Sequence, residues 1–296
     1  MALRSLLFLL IVVLVACGAA VAQDRYFDSA GIPIRYLDQG MGEPLVLLHG
    51  FSGSTEDTWV QTGVIRELVK DFRVIALDAR GHGKSGKPHD PQAYGPNMAE
   101  DVVRLLNHLG IEQAHVIGYS MGGRLVQRLL VAHPERLLTA TLVGFGAGRN
   151  WSAADEKHME ERAREADRGS FRTLVLSTAP ADGPPLSHEE IEERSRAIAR
   201  HNDPRALAAV TRNLRGLAVT DAEMAAVRVP TLAVVGSLDA QAAHVRELKT
   251  VMSAMTVVIV ENAVHDPEEE QGVLRKPELV DAIRSFIASQ KGAARR

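Results

Sequence analysis

Short apolar runs alternate with longer amphipathic stretches along most of this chain. Near-continuous apolar runs are typical of strands that are covered on both faces, as in a parallel sheet. Runs of this kind, each ending in glycine or a polar turn, are 44–49, 72–78, 114–119, 138–143, 230–235 and 256–260. Helical periodicity appears at 98–109, 121–132 and 277–289. The alternation predicts an α/β fold built from right-handed βαβ units.

Local signals predict where two of these helices begin or end. Asn97, with Glu100 three positions later, resembles a capping box and predicts a helix that starts at residue 98. The helix over 121–132 is expected to stop before Pro134, because the residue that precedes a proline disfavours helical backbone.

A different pair of strands is expected near residue 25. Residues 25–27 and 32–37 are strand-like and lie on either side of a short segment that contains Gly31. Because the connection is so short, the two runs predict an antiparallel hairpin. We place this hairpin at the edge of the sheet.

The alternation breaks at about residues 148–226, where the sequence is helical and highly charged. Its one strand-like run, 173–177, fits a helix equally well. Ser187 with Glu190 forms a second capping-box pattern, and the Pro/Gly-rich segment 180–185 predicts a loop or hinge. We therefore predict a helical cap, inserted between two strands of the core. The sequence thus divides into a predicted signal peptide at 1–22, a core formed by 23–147 together with 227–296, and a cap at 148–226.

The first 22 residues have the features of a targeting segment. The apolar run at 6–16 follows Arg4 and leads into small residues that end at Ala22. This order predicts a secretory signal peptide that is cleaved before Gln23. A second interpretation rests on Cys17, because the LVAC sequence that it ends resembles the lipobox of bacterial lipoproteins.

Two further interpretations of this segment stay open. Residues 5–22 carry no charge, which also fits an uncleaved membrane anchor. The segment could equally be a buried N-terminal helix of a cytoplasmic protein. We expect an exported protein, periplasmic or secreted, with a lipoprotein anchored through Cys17 as the alternative.

Composition excludes several classes of protein and site. With 46% hydrophobic and 24% charged residues among 296, the chain is expected to be globular. A single cysteine cannot form an internal disulfide or a site built from several cysteines. The net charge of −3, without a basic block, makes nucleic acid an unexpected partner. No H-E-x-x-H or comparable cluster is present, so we expect no metal and no other cofactor.

The sequence Gly118-Tyr119-Ser120-Met121-Gly122 matches the G-x-S-x-G pattern. It follows a predicted strand and opens a predicted helix, which is the context of a nucleophile elbow. In such an elbow the serine occupies a strained turn, and the glycines let strand and helix approach closely. The pattern therefore predicts Ser120 as a nucleophile, and an ordinary glycine turn is the alternative.

A serine hydroxyl needs a base within reach and a carboxylate that orients this base. His265 follows the last predicted strand, and Asp239 follows the strand before it. Both lie at carboxyl ends of strands, where catalytic groups gather in open α/β sheets. The order Ser120, Asp239, His265 matches that of an α/β-hydrolase triad. The alternatives are a helix N-cap for Asp239 and a surface loop position for His265.

Acyl transfer also needs donors for the developing oxyanion. The backbone N–H of Met121, at the start of a helix, is one candidate, and that of Phe51, in the loop after 44–49, is the second. We interpret His49 as a structural residue of that loop. The segment 78–85 has glycines and basic residues but does not match a phosphate-binding loop, and we interpret it as a structural turn.

Together these segments resemble the α/β-hydrolase superfamily over residues 25–290. The matching segments are HGFSG at 49–53, DARGHGKS at 78–85, GYSMGG at 118–123, VGSLD at 235–239, and His265. The resemblance implies an eight-stranded, mostly parallel sheet with a helical cap. It also implies the nucleophile, base and acid roles of Ser120, His265 and Asp239, and the oxyanion roles of Phe51 and Met121. Many relatives place a glycine directly before the histidine, whereas this chain has Val264 there.

The resemblance and the residues together predict a serine hydrolase that cleaves a carboxylic ester through an acyl-enzyme. A lactone, carbon–carbon bond or peroxide reaction on the same triad is one alternative, and a non-catalytic binding protein on the same scaffold is another. The expected partner is a small ester-like molecule. A membrane contact is expected only through a lipid on Cys17, and no oligomeric state is predicted.

Overall fold

The structure is a computed structural model that describes residues 23–179 and 185–294. The predicted signal peptide, Cys17 and most of the predicted hinge at 180–185 lie outside these residues. Within the two described ranges, no helix has the length and apolar character needed to cross a membrane.

Eight strands form one sheet in the order β1-β2-β4-β3-β5-β6-β7-β8. β1 pairs with β2, and β2 with β4, in antiparallel orientation, whereas all other neighbours are parallel. The strands are β1 (Arg25–Ser29), β2 (Ile32–Gln39), β3 (Glu43–Leu48), β4 (Phe72–Leu77), β5 (Ala114–Tyr119), β6 (Leu137–Val143), β7 (Thr231–Gly236) and β8 (Thr256–Val260). The predicted α/β fold class and the edge hairpin are confirmed.

Burial explains why the central strands have continuous apolar sequences. Every residue of β5 and β7 is buried, and the sheet separates two large apolar clusters. Successive side chains of a strand point to opposite faces. Val46 and Leu48 of β3 therefore join one cluster, and Leu45 and Leu47 join the other.

Helices cover both faces of the sheet and fill the segment between β6 and β7. They are α1 (Val64–Leu68), α2 (Pro96–His108), α3 (Met121–Ala132), α4 (Ala153–Asp167), α5 (Arg172–Thr178), α6 (His188–His201), α7 (Pro204–Arg212), α8 (Asp221–Ala226), α9 (Gln241–Val251) and α10 (Pro277–Ala294). Short 3-10 turns lie at Pro91–Ala93, Pro134–Arg136, Leu214–Leu217 and Val273–Arg275, and a π turn lies at Glu56–Val60.

The predicted start of α2 is wrong. The helix begins at Pro96, whose missing N–H costs nothing at a first helical position, after Gly95 with a φ of +62°. The Asn97 side chain instead donates to the Gln92 carbonyl, and Glu100 accepts a bond from His133. The predicted capping box therefore does not form.

Residues 148–226, the predicted cap, contain α4 to α8. The strand-like run at 173–177 is helical and lies within α5. The second predicted capping box is confirmed, because Ser187 and Glu190 each bond the other's backbone N–H at the start of α6.

Candidate active site

Ser120 occupies a sharp turn between β5 and α3. Its φ is +52° and its ψ is −113°, a conformation that L-residues rarely adopt and that is costly unless the surroundings hold it. Here the Ser120 N–H donates to the Val143 carbonyl of the neighbouring β6 at 2.9 Å. The strand–turn–helix context expected for a nucleophile elbow is present.

The two glycines of the G-x-S-x-G sequence are required by close backbone contacts. A Cβ on Gly118 would lie 2.1 Å from the Gly122 carbonyl oxygen. A Cβ on Gly122 would lie 2.1 Å from the carbonyl oxygen of Leu48, at the end of β3. Any larger residue would push α3 away from the sheet, so these glycines fix the position of the serine.

Ser120, Asp239 and His265 form a continuous hydrogen-bonded line. The His265 Nδ1 lies 2.8 Å from Asp239 Oδ2, and its Nε2 lies 3.1 Å from Ser120 Oγ. An ionised carboxylate only accepts, so Nδ1 carries the proton and the lone pair of Nε2 faces the serine hydroxyl. Both Asp239 and His265 are buried. The structure thus places the predicted nucleophile, base and acid together.

Asp239 also contacts the start of the next helix, although the N-cap of α9 is Ala240 and not Asp239. Its Oδ1 accepts the Gln241 N–H at 2.8 Å while Oδ2 holds His265. One carboxylate therefore bonds the first residue of α9 and orients the imidazole. The two contacts are compatible because they use different oxygens.

Tyr119 supports His265 and was missed by sequence reasoning. Its hydroxyl donates to the His265 backbone carbonyl, and its ring lies 5.2 Å from the imidazole, centre to centre. Burial raises the pKa of Tyr119 well above its usual value, so the hydroxyl stays a donor. Its position next to the serine in G-x-S-x-G was the only available signal.

The loop that carries His265 takes its shape without the glycine found there in many relatives. Asn262 adopts the left-handed φ of +56°, and its N–H donates to the Ser237 hydroxyl at 2.9 Å. The glycine that a close backbone contact requires is instead Gly236, at the end of β7. A Cβ there would lie 2.1 Å from the Ala263 carbonyl oxygen.

The predicted oxyanion donors, Phe51 and Met121, both lie in segments that adjoin Ser120. Met121 opens α3, where the first N–H groups have no helical acceptor. The Phe51 loop lies against the serine, since a Cβ on Gly50 would be 3.4 Å from Ser120 Cβ. Within the described part of the chain, neither N–H has a hydrogen-bond acceptor. Both can therefore donate to an oxyanion formed at Ser120.

His49 holds the Phe51 loop in place. Its Nε2 accepts the Ala79 N–H at 2.9 Å, so Nδ1 carries the proton and donates to the Gly50 carbonyl at 2.7 Å. Burial lowers the pKa of His49, which keeps the ring neutral and lets it fill both roles. The structural interpretation of His49 agrees with these contacts.

The segment 78–85 is a structural turn beside this loop. Asp78 accepts the N–H groups of Thr55 and Lys84, each at 2.8 Å. Arg80 donates from Nε to Asp101 at 2.7 Å, an ion pair that is buried. The Arg80 guanidinium thus faces an internal partner, as expected for a structural turn.

The cap contacts the elements that carry the site. Arg194 of α6 forms ion pairs with Asp266 at 3.2 Å and with Glu269 at 3.4 Å, directly after His265. Asn202 donates to the Ser52 carbonyl at 3.0 Å, next to Phe51. The cap therefore contacts both the loop that carries His265 and the loop that carries Phe51.

The arrangement can activate a hydroxyl and stabilise an oxyanion. The imidazole can accept the serine proton while the Asp239 carboxylate stabilises the resulting cation. Among residues 23–179 and 185–294, no group of three or more His, Cys, Asp or Glu side chains is placed to hold a metal ion. These residues are suited to acyl transfer from a carbonyl substrate.

Several curated proteins are similar to this chain in sequence. The chain is 38% identical over 121 residues to the 2-hydroxymuconate semialdehyde hydrolase of Pseudomonas sp. (strain CF600), which covers 40% of the chain and 42% of that protein. It is 29% identical to the pimeloyl-[acyl-carrier protein] methyl ester esterase of Aeromonas hydrophila, over 84% of the chain and 96% of that esterase. Other relatives, 31–39% identical, are matched over only 19–42% of their own length.

Solved structures and a family profile agree with the fold. A thermophilic esterase from Thermogutta terrifontis superposes with a TM-score of 0.74 at 25% identity, over 91% of this chain and 99% of that one. Residues 43–203, more than half of the chain, match the profile of the alpha/beta hydrolase fold. With its eight-stranded sheet and the turn at Ser120, the chain belongs to the α/β-hydrolase family.

Proposed function

We propose that this protein is a serine hydrolase that cleaves a carboxylic ester through an acyl-enzyme. The observation that carries the proposal is the hydrogen-bonded line from Asp239 through His265 to Ser120. The resemblance to the Aeromonas methyl ester esterase, which extends over nearly all of that protein, supports an ester as the substrate.

The first half of the reaction forms the acyl-enzyme. His265 Nε2 takes the hydroxyl proton as Ser120 Oγ attacks the ester carbonyl, and the negative oxygen rests on the Phe51 and Met121 N–H groups. The tetrahedral intermediate then breaks its bond to the alkoxy oxygen. That oxygen receives the proton from His265 and leaves as the alcohol.

The second half returns the free enzyme. Water gives a proton to His265 Nε2 and attacks the acyl carbonyl, and the same two N–H groups hold the second oxyanion. The bond to Ser120 Oγ breaks, and the serine recovers the proton from His265. The released product is the carboxylic acid, so the reaction consumes one ester and one water.

A carbon–carbon bond hydrolase or a lactonase is the second candidate. It is favoured by the 38% identity to the hydrolase of Pseudomonas sp. (strain CF600). We expect p-nitrophenyl esters of graded acyl length to be hydrolysed faster than matched lactones and vinylogous 1,5-diketones, measured as kcat/KM. Preference for a lactone or diketone would assign the second candidate, and inertness of a folded protein toward all three would favour a binding protein.

We propose further that the protein is exported. The support is the order of charged, apolar and small residues in the predicted signal peptide, 1–22. We expect the intact mass of the protein from the producing cell to correspond to a chain that starts at Gln23. A diacylglycerol-sized increment on Cys17 would assign a lipoprotein instead, and the mass of the full chain would contradict export with cleavage.

A further inference from the structure

Arg124 is a cation held among aromatic rings beside the candidate active site. It lies on α3, four residues after Ser120. Its Cζ is 5.5 Å from the centre of the Phe145 ring and 5.6 Å from that of Trp151. Its Nη1 is buried and, within the described residues, has no hydrogen-bond partner. The guanidinium therefore contacts two aromatic rings, and its Nη1 has no hydrogen-bond acceptor among the described residues.

A second cation lies close by, on α4 of the cap. The Cζ of Arg162 is 5.8 Å from the centre of the Phe51 ring, whose backbone N–H is a candidate oxyanion donor. Among residues 23–179 and 185–294, carboxylates act on Arg124 and Arg162 only through space, without an ion pair. Burial, and then the charge of Arg162, lower the pKa of Arg124 to about 10, so Arg124 stays a cation at neutral pH. Burial also lowers the pKa of Arg162. An arginine side chain keeps its proton in proteins, so both guanidiniums are cations.

The nearest acidic side chains are engaged elsewhere. Asp155 acts on Arg124 through space, but its carboxylate accepts the Ser152 N–H at 2.8 Å in a capping box. Glu165 acts on Arg162 in the same way, but it accepts bonds from Ser170 and from the Thr173 N–H. These acids reduce the local positive charge without supplying the missing acceptor.

Both cations are tied to residues of the candidate site. Phe145, which packs on Arg124, follows Gly144, and a Cβ there would lie 3.2 Å from both Asp239 Oδ2 and His265 Nδ1. Phe51, which packs on Arg162, carries one of the two candidate oxyanion N–H groups. A group bound by these guanidiniums would therefore lie against residues that adjoin the triad and the Phe51 N–H.

We propose that Arg124 and Arg162 bind a carboxylate of the substrate, so that the enzyme acts on esters of short dicarboxylic acids. This inference rests on the proposed ester hydrolysis. A guanidinium pairs with a carboxylate through parallel N–H···O bonds, and partial burial strengthens such bonds. A singly charged carboxylate suits the pair better than a doubly charged phosphate, because Asp155 and Glu165 already add negative charge nearby.

The test compares two esters that differ in one terminal group. p-Nitrophenyl hydrogen glutarate and p-nitrophenyl valerate have the same chain length, but only the first carries a carboxylate. We expect the wild-type kcat/KM to be about 10–100-fold higher for the glutarate, the range that a charged hydrogen bond supports. Equal values for the two esters, after subtraction of spontaneous hydrolysis, would overturn the proposal.

Two variants test whether Arg124 and Arg162 cause the preference for the glutarate ester. Arg124→Met and Arg162→Met keep much of the side-chain volume, and each is expected to lower the ratio of the glutarate kcat/KM to the valerate kcat/KM by about tenfold. Arg164→Met is the matched control, because Arg164 lies on the same helix as Arg162 and is 65% exposed. A purely structural role predicts instead that both esters lose activity equally.

A binding measurement separates this proposal from the proposed reaction. Ser120→Ala cannot turn over an ester, so calorimetry on it reports the pocket alone. We expect saturable binding of monomethyl glutarate that weakens at least tenfold when Arg124→Met or Arg162→Met is added. Absent binding contradicts the carboxylate pocket, whereas binding without wild-type turnover contradicts only the ester reaction.

Discussion

Replacing Ser120 with alanine is expected to lower kcat for ester hydrolysis by roughly 10⁵–10⁶-fold. In the proposed reaction the hydroxyl oxygen is the atom that bonds the acyl group, and it lies 3.1 Å from His265 Nε2, within hydrogen-bond distance. A fluorophosphonate should label the wild-type protein at Ser120 and leave the variant unlabelled. Mass spectrometry of the labelled peptide and stopped-flow kinetics measure both effects.

An alanine variant of an exposed serine controls for non-specific effects. Ser253 lies on the surface between α9 and β8, so Ser253→Ala is expected to keep wild-type kinetics and labelling. Because Ser120→Ala removes a single oxygen from a held turn, its unfolding temperature should stay close to that of the wild type. Labelling that persists in Ser120→Ala would refute the serine mechanism.

Replacing Asp239 with asparagine is expected to lower kcat by about 10⁴-fold, the loss found when such a carboxylate is changed in a serine protease. An amide can present its NH₂ group to His265 Nδ1, which favours the tautomer with the proton on Nε2. That nitrogen can then no longer accept the serine proton. The carbonyl oxygen of the introduced amide can still accept the Gln241 N–H, so the start of α9 should persist.

The adjacent carboxylate offers a matched control for this substitution. Asp266 follows His265 directly but forms an ion pair with Arg194 at 3.2 Å rather than with the imidazole. Asp266→Asn should therefore change kcat by less than about tenfold, since ion pairs that solvent reaches contribute little. A larger loss in Asp266→Asn than in Asp239→Asn, with both variants folded, would show that the acid of the triad was assigned wrongly.

The sheet could be predicted well because its signals are local. Continuous apolar runs at 114–119 and 256–260 coincide with β5 and β8. The start of α2 could not, because Asn97 has the right residue type for a cap but Pro96 already begins the helix. Whether the helix begins at Pro96 or after Asn97 depends on the path of the preceding loop. Tertiary contacts determine that path.

The candidate site likewise contains some residues that the sequence predicts and others that it does not. Ser120, Asp239 and His265 follow strands, and the parallel order of those strands brings their ends together, so sequence order alone predicts the grouping. Tyr119 and the Arg124–Arg162 pair were missed because their roles arise from contacts across elements distant in sequence. A tyrosine or arginine on an amphipathic helix or strand carries no mark of the partner that it will meet.

The cap leaves the sheet after β6 and returns at β7, and these two strands are direct neighbours. Adjacent strands lie about 4.8 Å apart, so the two attachment points of the insertion are close together. Its length and sequence can therefore change without altering the register of the sheet. A replacement segment would still have to supply the bonds that Arg194 and Asn202 make to the loops that carry His265 and Phe51.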